Sequence, residues 1–186
     1  MILDTAKKCR SYRRFDNAAP VTHEQLRSYV ECARYTPSGA NMQKLRFALF
    51  SDKCECDKIF ETLKFAGYLK DWAGPTAIER PAAYIVICSE HELNTLLAID
   101  LGITAEAIVL AAAEEGVGSC MIRSYNSDVI SELLPSGMAP QLVIALGYPS
   151  ETVLVEDMVD GNVKYYRDEL DRHIVPKRTL DELIIS

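Results

Sequence analysis

An α+β architecture follows from three features of the 186-residue chain. Two continuous apolar runs, Ala82 to Cys88 (AAYIVIC) and Gln141 to Gly147 (QLVIALG), have the character of strands covered on both faces. Between them, Asn94 to Glu115 is helix-forming and carries Leu, Ile, Val and Ala on nearly every face, which marks a buried helix. Helices and strands also mix without the strict alternation of a doubly wound sheet. With no repeat, low-complexity tract or linker, the chain reads as one continuous α+β domain spanning 1–186.

The elements follow in chain order. Ile2, Leu3 and Ala6 give a short N-terminal helix a weak apolar stripe, and the basic run Arg10-Ser11-Tyr12-Arg13-Arg14 follows at once. Thr22 and Gln25 form a capping box for a second helix, whose stripe is Leu26, Tyr29, Val30 and Ala33. Pro37 ends it, because the residue before a proline is pushed out of helical geometry. Arg46 to Ser51 reads as a strand, Asp57 to Leu69 as a helix, and Gly74, Pro75 and Pro81 mark a loop. Gly116-Val117-Gly118 stops the long helix. A short helix from Ser127 to Leu134 ends at Pro135, and Asp160-Gly161 signals a hairpin between Val153–Val159 and Val163–Tyr166. A last short helix covers Leu180 to Ile184. The tail is too thin to bury itself, so it and the long helix are expected to join a dimer interface.

Composition excludes several classes of function. Twenty Lys and Arg against 27 Asp and Glu give a net charge of −7, which argues against nucleic acid as the main partner. No run is expected to reach the ~20 apolar residues of a membrane span, and the charged start MILDTAKKCRSYRRF does not read as a signal peptide. A cytoplasmic setting is the expectation. Its reducing conditions leave Cys9, Cys32, Cys54, Cys56, Cys88 and Cys120 as thiols, and their spacing matches no zinc pattern. Signatures for phosphate loops, serine hydrolases and zinc proteases are missing, and Gly116-Val117-Gly118 follows a helix where a dinucleotide fingerprint follows a strand.

Two segments are richer than connections need to be. In Cys9-Arg10-Ser11-Tyr12-Arg13, two guanidinium forks with a hydroxyl between them suit a phosphate dianion, although a solvated basic face has the same spacing. In Pro37-Ser38-Gly39-Ala40-Asn41-Met42-Gln43, small residues and two amides can approach a planar polar ring, or simply turn the chain.

In this order, the two segments resemble the flavin-dependent nitroreductase family. The resemblance continues through DLGITAEAIVLAAAEEGVGSCMI (Asp100 to Ile122), LGYP (Leu146 to Pro149) and PKR (Pro176 to Arg178), nearly the whole chain. It implies an α/β sandwich, an antiparallel or mixed central sheet flanked by helices, that dimerises through its long central helix, with a C-terminal extension reaching the partner subunit and FMN at the interface. Arg10, Ser11 and Arg13 would hold the FMN phosphate and ribityl chain, with Lys177 and Arg178 closing the site. Pro37, Ser38, Gly39 and Asn41 would come from the other subunit, and Ile122, Arg123 and Ser124 would lie along the isoalloxazine. The chain departs from the pattern at Cys9, where the family has a basic residue, and at Lys44 and Leu45. The implied activity is an FMN-dependent oxidoreductase moving hydride from NAD(P)H to a nitroaromatic, quinone or similar acceptor by a ping-pong cycle. No side chain acts as acid or base, since flavin N5 carries the chemistry. A non-catalytic FMN-binding module is the alternative, and a structural basic cluster on an interaction protein a third.

Overall fold

Strand β2 (Ala83–Ser89) is buried at every position and β4 (Ala139–Gly147) at all but its first. In the computed structural model, which describes residues 1–186, the two pair antiparallel at the centre of a four-stranded sheet. β1 (Arg46–Phe50) flanks β2 and β3 (Gly118–Ile122) flanks β4, both antiparallel.

Alternation along the central strands sorts side chains onto two faces. Ile85, Ile87, Leu142, Ile144 and Leu146 face one layer. That layer is built by α2 (His23–Arg34) through Leu26, Tyr29 and Ala33, and by α4 (Thr95–Glu114) through Ala105, Ile108 and Ala112. Tyr84, Val86, Val143 and Ala145 face the other layer, against Cys56 and Ile59 of α3 (Lys53–Phe60) and Ile130 of α5 (Ser127–Ser131). Each strand is thus apolar on both sides because each side has a helical cover. α1 (Ile2–Lys8) docks on α4 through a hydrogen bond from Thr5 Oγ1 to Glu114.

The capping box at Thr22 and Gln25 forms as expected. By length and composition α4 is apolar enough to cross a membrane, contrary to the expectation that no segment approaches this. It is nonetheless a core helix, with Leu97, Leu101, Ile108 and Val109 buried inside the fold. Its other side leaves Leu96, Ile99 and Ile103 exposed.

Three local expectations change. α3 starts at Lys53 because the Asp52 carboxylate caps Cys54 N and Glu55 N. It stops at Phe60, after which Ala66 takes a left-handed φ of 49° and Gly67 follows. β3 is a strand the apolar pattern did not reveal, since only its sheet partner and the N-terminal segment define it; Tyr12 N donates to Ser119 O. In the tail, Asp160-Gly161 does turn in left-handed geometry. The flanking strands do not form a hairpin, however. β5 (Val153–Asp157) pairs in parallel with β7 (His173–Lys177), and β6 (Tyr166–Arg167) pairs antiparallel with β7 on its other side. β7 is the central strand of this small sheet, and its His173 and Ile174 are buried.

The N-terminal segment seals one end of the main sheet. A Cβ on Gly147 would sit 2.9 Å from Cδ1 of Phe15, whose ring is fully buried and cannot step aside. Gly147→Ala is expected to lower stability by about 1–3 kcal/mol through overpacking, read as a lower urea midpoint at unchanged slope.

Candidate functional site

From Cys9 to Phe15 the chain passes along β3, bridging it in parallel at Ser11 and Ser119, with a tight turn in which Tyr12 N donates to both Arg10 O and Ser119 O. Ser11 and Arg13 both face a cavity of 290 Å³, with Cys9 and Arg10 beside them. The tail supplies the opposite wall: Val153 from β5, Val175 and Lys177 from β7, and Tyr165 just before β6. Val175 and Lys177 are two apart on β7 and so share its cavity face. Arg178, one residue beyond the strand, lies outside the cavity, with Nη1 3.9 Å from the Glu182 carboxylate at the N-terminal turn of α6 (Leu180–Leu183).

The cavity holds three cations and no carboxylate. Arg13 is only 8 % exposed, and no acidic side chain pairs with its guanidinium. Nη1 donates instead to Ser11 O and meets His173 Nε2, and the guanidinium carbon lies over the Tyr165 ring. Arg10 donates from Nη2 to Ala6 O, and its buried Nε has no partner. Cys9 does not offset this charge as a thiolate, because burial, aided by Glu106, pushes its thiol up to about 11. The nearest buried carboxylate, Glu151, is committed elsewhere. It accepts from the main-chain N–H groups of Arg13 and Arg14 and pairs with Arg167 Nη2 at 2.6 Å. Arg13 is thus a buried positive charge with no counter-ion on its guanidinium, an unfavourable arrangement in a chain by itself.

The second segment lies elsewhere on the chain. Ala40, Asn41 and Gln43 all take left-handed φ, at 49°, 54° and 49°. Three non-glycine residues in that region store strain that the surroundings must hold. Asp100, 5 % exposed in the apolar α4, holds it by accepting from Gly39 N at 2.8 Å. Ser38 helps, its hydroxyl accepting from Gln43 N and its carbonyl from Asn41 N. Pro37 and Asn41 stay exposed, while Ser38 lines a larger cavity of 490 Å³ between α2 and β1 together with the cations Arg27, Arg34, Lys44 and Arg46 and the acids Glu31, which pairs with Arg34, and Asp100.

Within one chain these two places are separate, and the expected residues divide between them. Arg10, Ser11, Arg13 and Lys177 converge; Pro37, Ser38, Gly39 and Asn41 form the strained loop. Ile122 is buried in the sheet, Arg123 donates to Gln141 O at 2.9 Å, and Ser124 O accepts from Lys64 N. Those three line neither cavity. Tyr165, His173 and Asp100 carry parts of the site that sequence reasoning did not assign. Only Asp100 left a signal, as a lone acid early in an apolar helix.

The nitroreductase family profile matches residues 6–148. An NADPH-flavin oxidoreductase of Vibrio harveyi is 24 % identical over 186 aligned residues, covering 90 % of this chain and 73 % of its own. Among solved structures, an FMN-dependent nitroreductase of Clostridium difficile R20291 superposes with a TM-score of 0.63 at 26 % identity, covering 80 % of this chain and 88 % of that one. A nitroreductase family protein of Streptococcus pneumoniae TIGR4 superposes with a TM-score of 0.69 at 16 % identity over 100 % of both chains.

Asp100→Ala is expected to release the strained loop. Loss of a buried charged acceptor should cost about 1–3 kcal/mol, and limited proteolysis should shift to cleavage within residues 38–43.

Proposed function

The chain belongs to the nitroreductase family, and from that premise we propose the reading its geometry supports best: it is an FMN-dependent NAD(P)H oxidoreductase. The observation that carries this is the cavity between the N-terminal segment and the tail, with Arg10, Arg13 and Lys177 free of carboxylate partners. A phosphate dianion matches that charge, and the Ser11 hydroxyl adds a neutral donor. The apolar walls, Val153 and Val175, keep water from the charge pairs and so strengthen them.

When bound, FMN supplies the redox chemistry, taking hydride from the reduced nicotinamide and passing it to a nitroaromatic, quinone or similar small acceptor in a ping-pong cycle. The protein's part is to bind, orient and shield. Arg10, Ser11, Arg13 and Lys177 anchor the phosphate end. Ser38, Gly39 and Asn41, preset by Asp100, offer main-chain and amide groups to the ring from a second copy, with Pro37 setting the entry of that loop. Ile122, Arg123 and Ser124 present the end of β3 and its following turn to the ring's edge, and Arg178 closes the phosphate site once it turns from Glu182.

A homodimer accounts for surfaces the single chain leaves open. Leu96, Ile99 and Ile103 form an exposed stripe on α4. β1 has one unpaired edge, beside the cavity rimmed by Arg27, Arg34, Lys44 and Arg46. The segment after Arg178 is its complement, pairing the exposed Leu180, Leu183, Ile184 and Ile185 with the acids Asp181 and Glu182. In the dimer the tail of one copy lies on that edge of the other.

The purified protein should be yellow, or take up added FMN, and bleach anaerobically with NADH or NADPH; a colourless protein that ignores FMN would overturn the reading. Arg13→Ala should weaken FMN binding by about 1.5–3 kcal/mol, the scale of one hydrogen bond to a charged group, with no change in the reducible fraction of bound flavin. By light scattering, the full chain should be a dimer, and a chain ending at Arg178 should dissociate at higher concentration than the full one.

A further inference from the structure

Arg13 and His173 are 160 residues apart in sequence and touch inside the fold. Arg13 Nη1 lies 2.8 Å from His173 Nε2 and donates to Ser11 O at 3.0 Å, while its guanidinium carbon sits 4.5 Å above the Tyr165 ring centroid. All three partners are neutral. A carboxylate in place of the imidazole would grip the guanidinium harder, but it would also cancel the charge that a ligand anion needs.

Guanidinium nitrogens only donate, so Nε2 must be the acceptor and the ring proton must sit on Nδ1. That Nδ1 is buried and has no partner. An orphaned donor is unfavourable by itself, and it is retained here because the opposite tautomer would set two N–H groups against each other.

We propose that His173 is the positioning residue for Arg13: its neutral ring accepts from Nη1 and fixes the guanidinium toward the anion cavity, leaving the positive charge for the ligand phosphate. This rests on the FMN reading above and extends it to a residue that touches no cofactor.

The charged and titratable groups around His173 come from every element packed on it. Arg13 lies on the N-terminal segment, Glu151 before β5, Tyr165 before β6 with ring centroids 5.1 Å apart, and Arg167 across the β6–β7 register. Burial first, then Arg13, hold the imidazole down to about 4, with Arg167 adding and Glu151 opposing. The ring is therefore neutral wherever the flavin phosphate carries most of its charge. Below that range an imidazolium would face the guanidinium and break the hydrogen bond.

The test compares dissociation constants for FMN and for riboflavin, which has the same ring and no phosphate, in wild type, His173→Phe and His173→Gln. The Phe variant should weaken FMN roughly tenfold relative to riboflavin, and Gln, whose amide oxygen can accept from Nη1, should restore most of the difference. Binding of both flavins with an unchanged ratio in the Phe variant overturns this inference alone. Equal losses in Phe and Gln also overturn it, since they report packing without acceptance. Wild type that binds neither flavin overturns the FMN reading, and His173's part falls with it. Nitrogen-15 NMR of labelled histidine in the wild type decides the matter even where the Phe variant does not fold. A neutral ring protonated on Nδ1 from pH 8 to 5 is expected, and an Nε2-protonated ring or an imidazolium in that range overturns the proposal.

Discussion

Glu151 holds the site together without entering it. Its carboxylate, 2 % exposed, accepts from two consecutive main-chain N–H groups of the N-terminal segment and pairs with Arg167 of the tail. One buried anion therefore joins the two ends of the polypeptide. Because its capacity goes to backbone and to Arg167, it leaves the Arg13 guanidinium without a counter-charge. The cavity's unbalanced charge and the seam between N-terminal segment and tail thus have the same cause. Further cross-links repeat the theme: Arg14 reaches Glu79 and Asp171, and both Arg14 and Arg167 lie against Trp72.

The main sheet is the rigid floor under this seam. β2 and β4 are covered on both faces, so shifting either by one residue would exchange two apolar sets that pack different helices. That constraint fixes where β3 ends and where Pro149 meets Phe15. The glycines at 118 and 147 admit Tyr12 and Phe15 at distances a side chain would not allow. Arg10, Ser11 and Arg13 are positioned by this docking rather than by a helix or strand of their own.

What could be read in advance was local or periodic. The Thr22–Gln25 box, the paired apolar strands and the all-apolar α4 each announce themselves within a few residues. Arg10, Ser11 and Arg13 stood out because their motif is short and continuous. That Lys177 lines the cavity with Val175 while Arg178 lies outside it follows from parity on β7, which exists only once β7 is known to be a strand. What could not be read depends on partners far away. β3 exists through β4 and the N-terminal segment, β5 prefers a parallel neighbour to the hairpin its turn invites, and His173 and Tyr165 gain meaning only beside Arg13.

The open side of β1 has a cost during biosynthesis. Phe47, Ala48 and Leu49 lie on an apolar edge strand whose outer side has unpaired backbone donors and acceptors, a ready template for another strand in an unfinished molecule. Arg46 stands at its first position, exposed, its guanidinium bonded to the carbonyls of Gln43 and Leu45. Its charge stands at the start of the edge, and charged residues on an open edge disfavour pairing with another strand. A residue that lines the larger cavity thus also sets the charge at the mouth of the sheet's open edge.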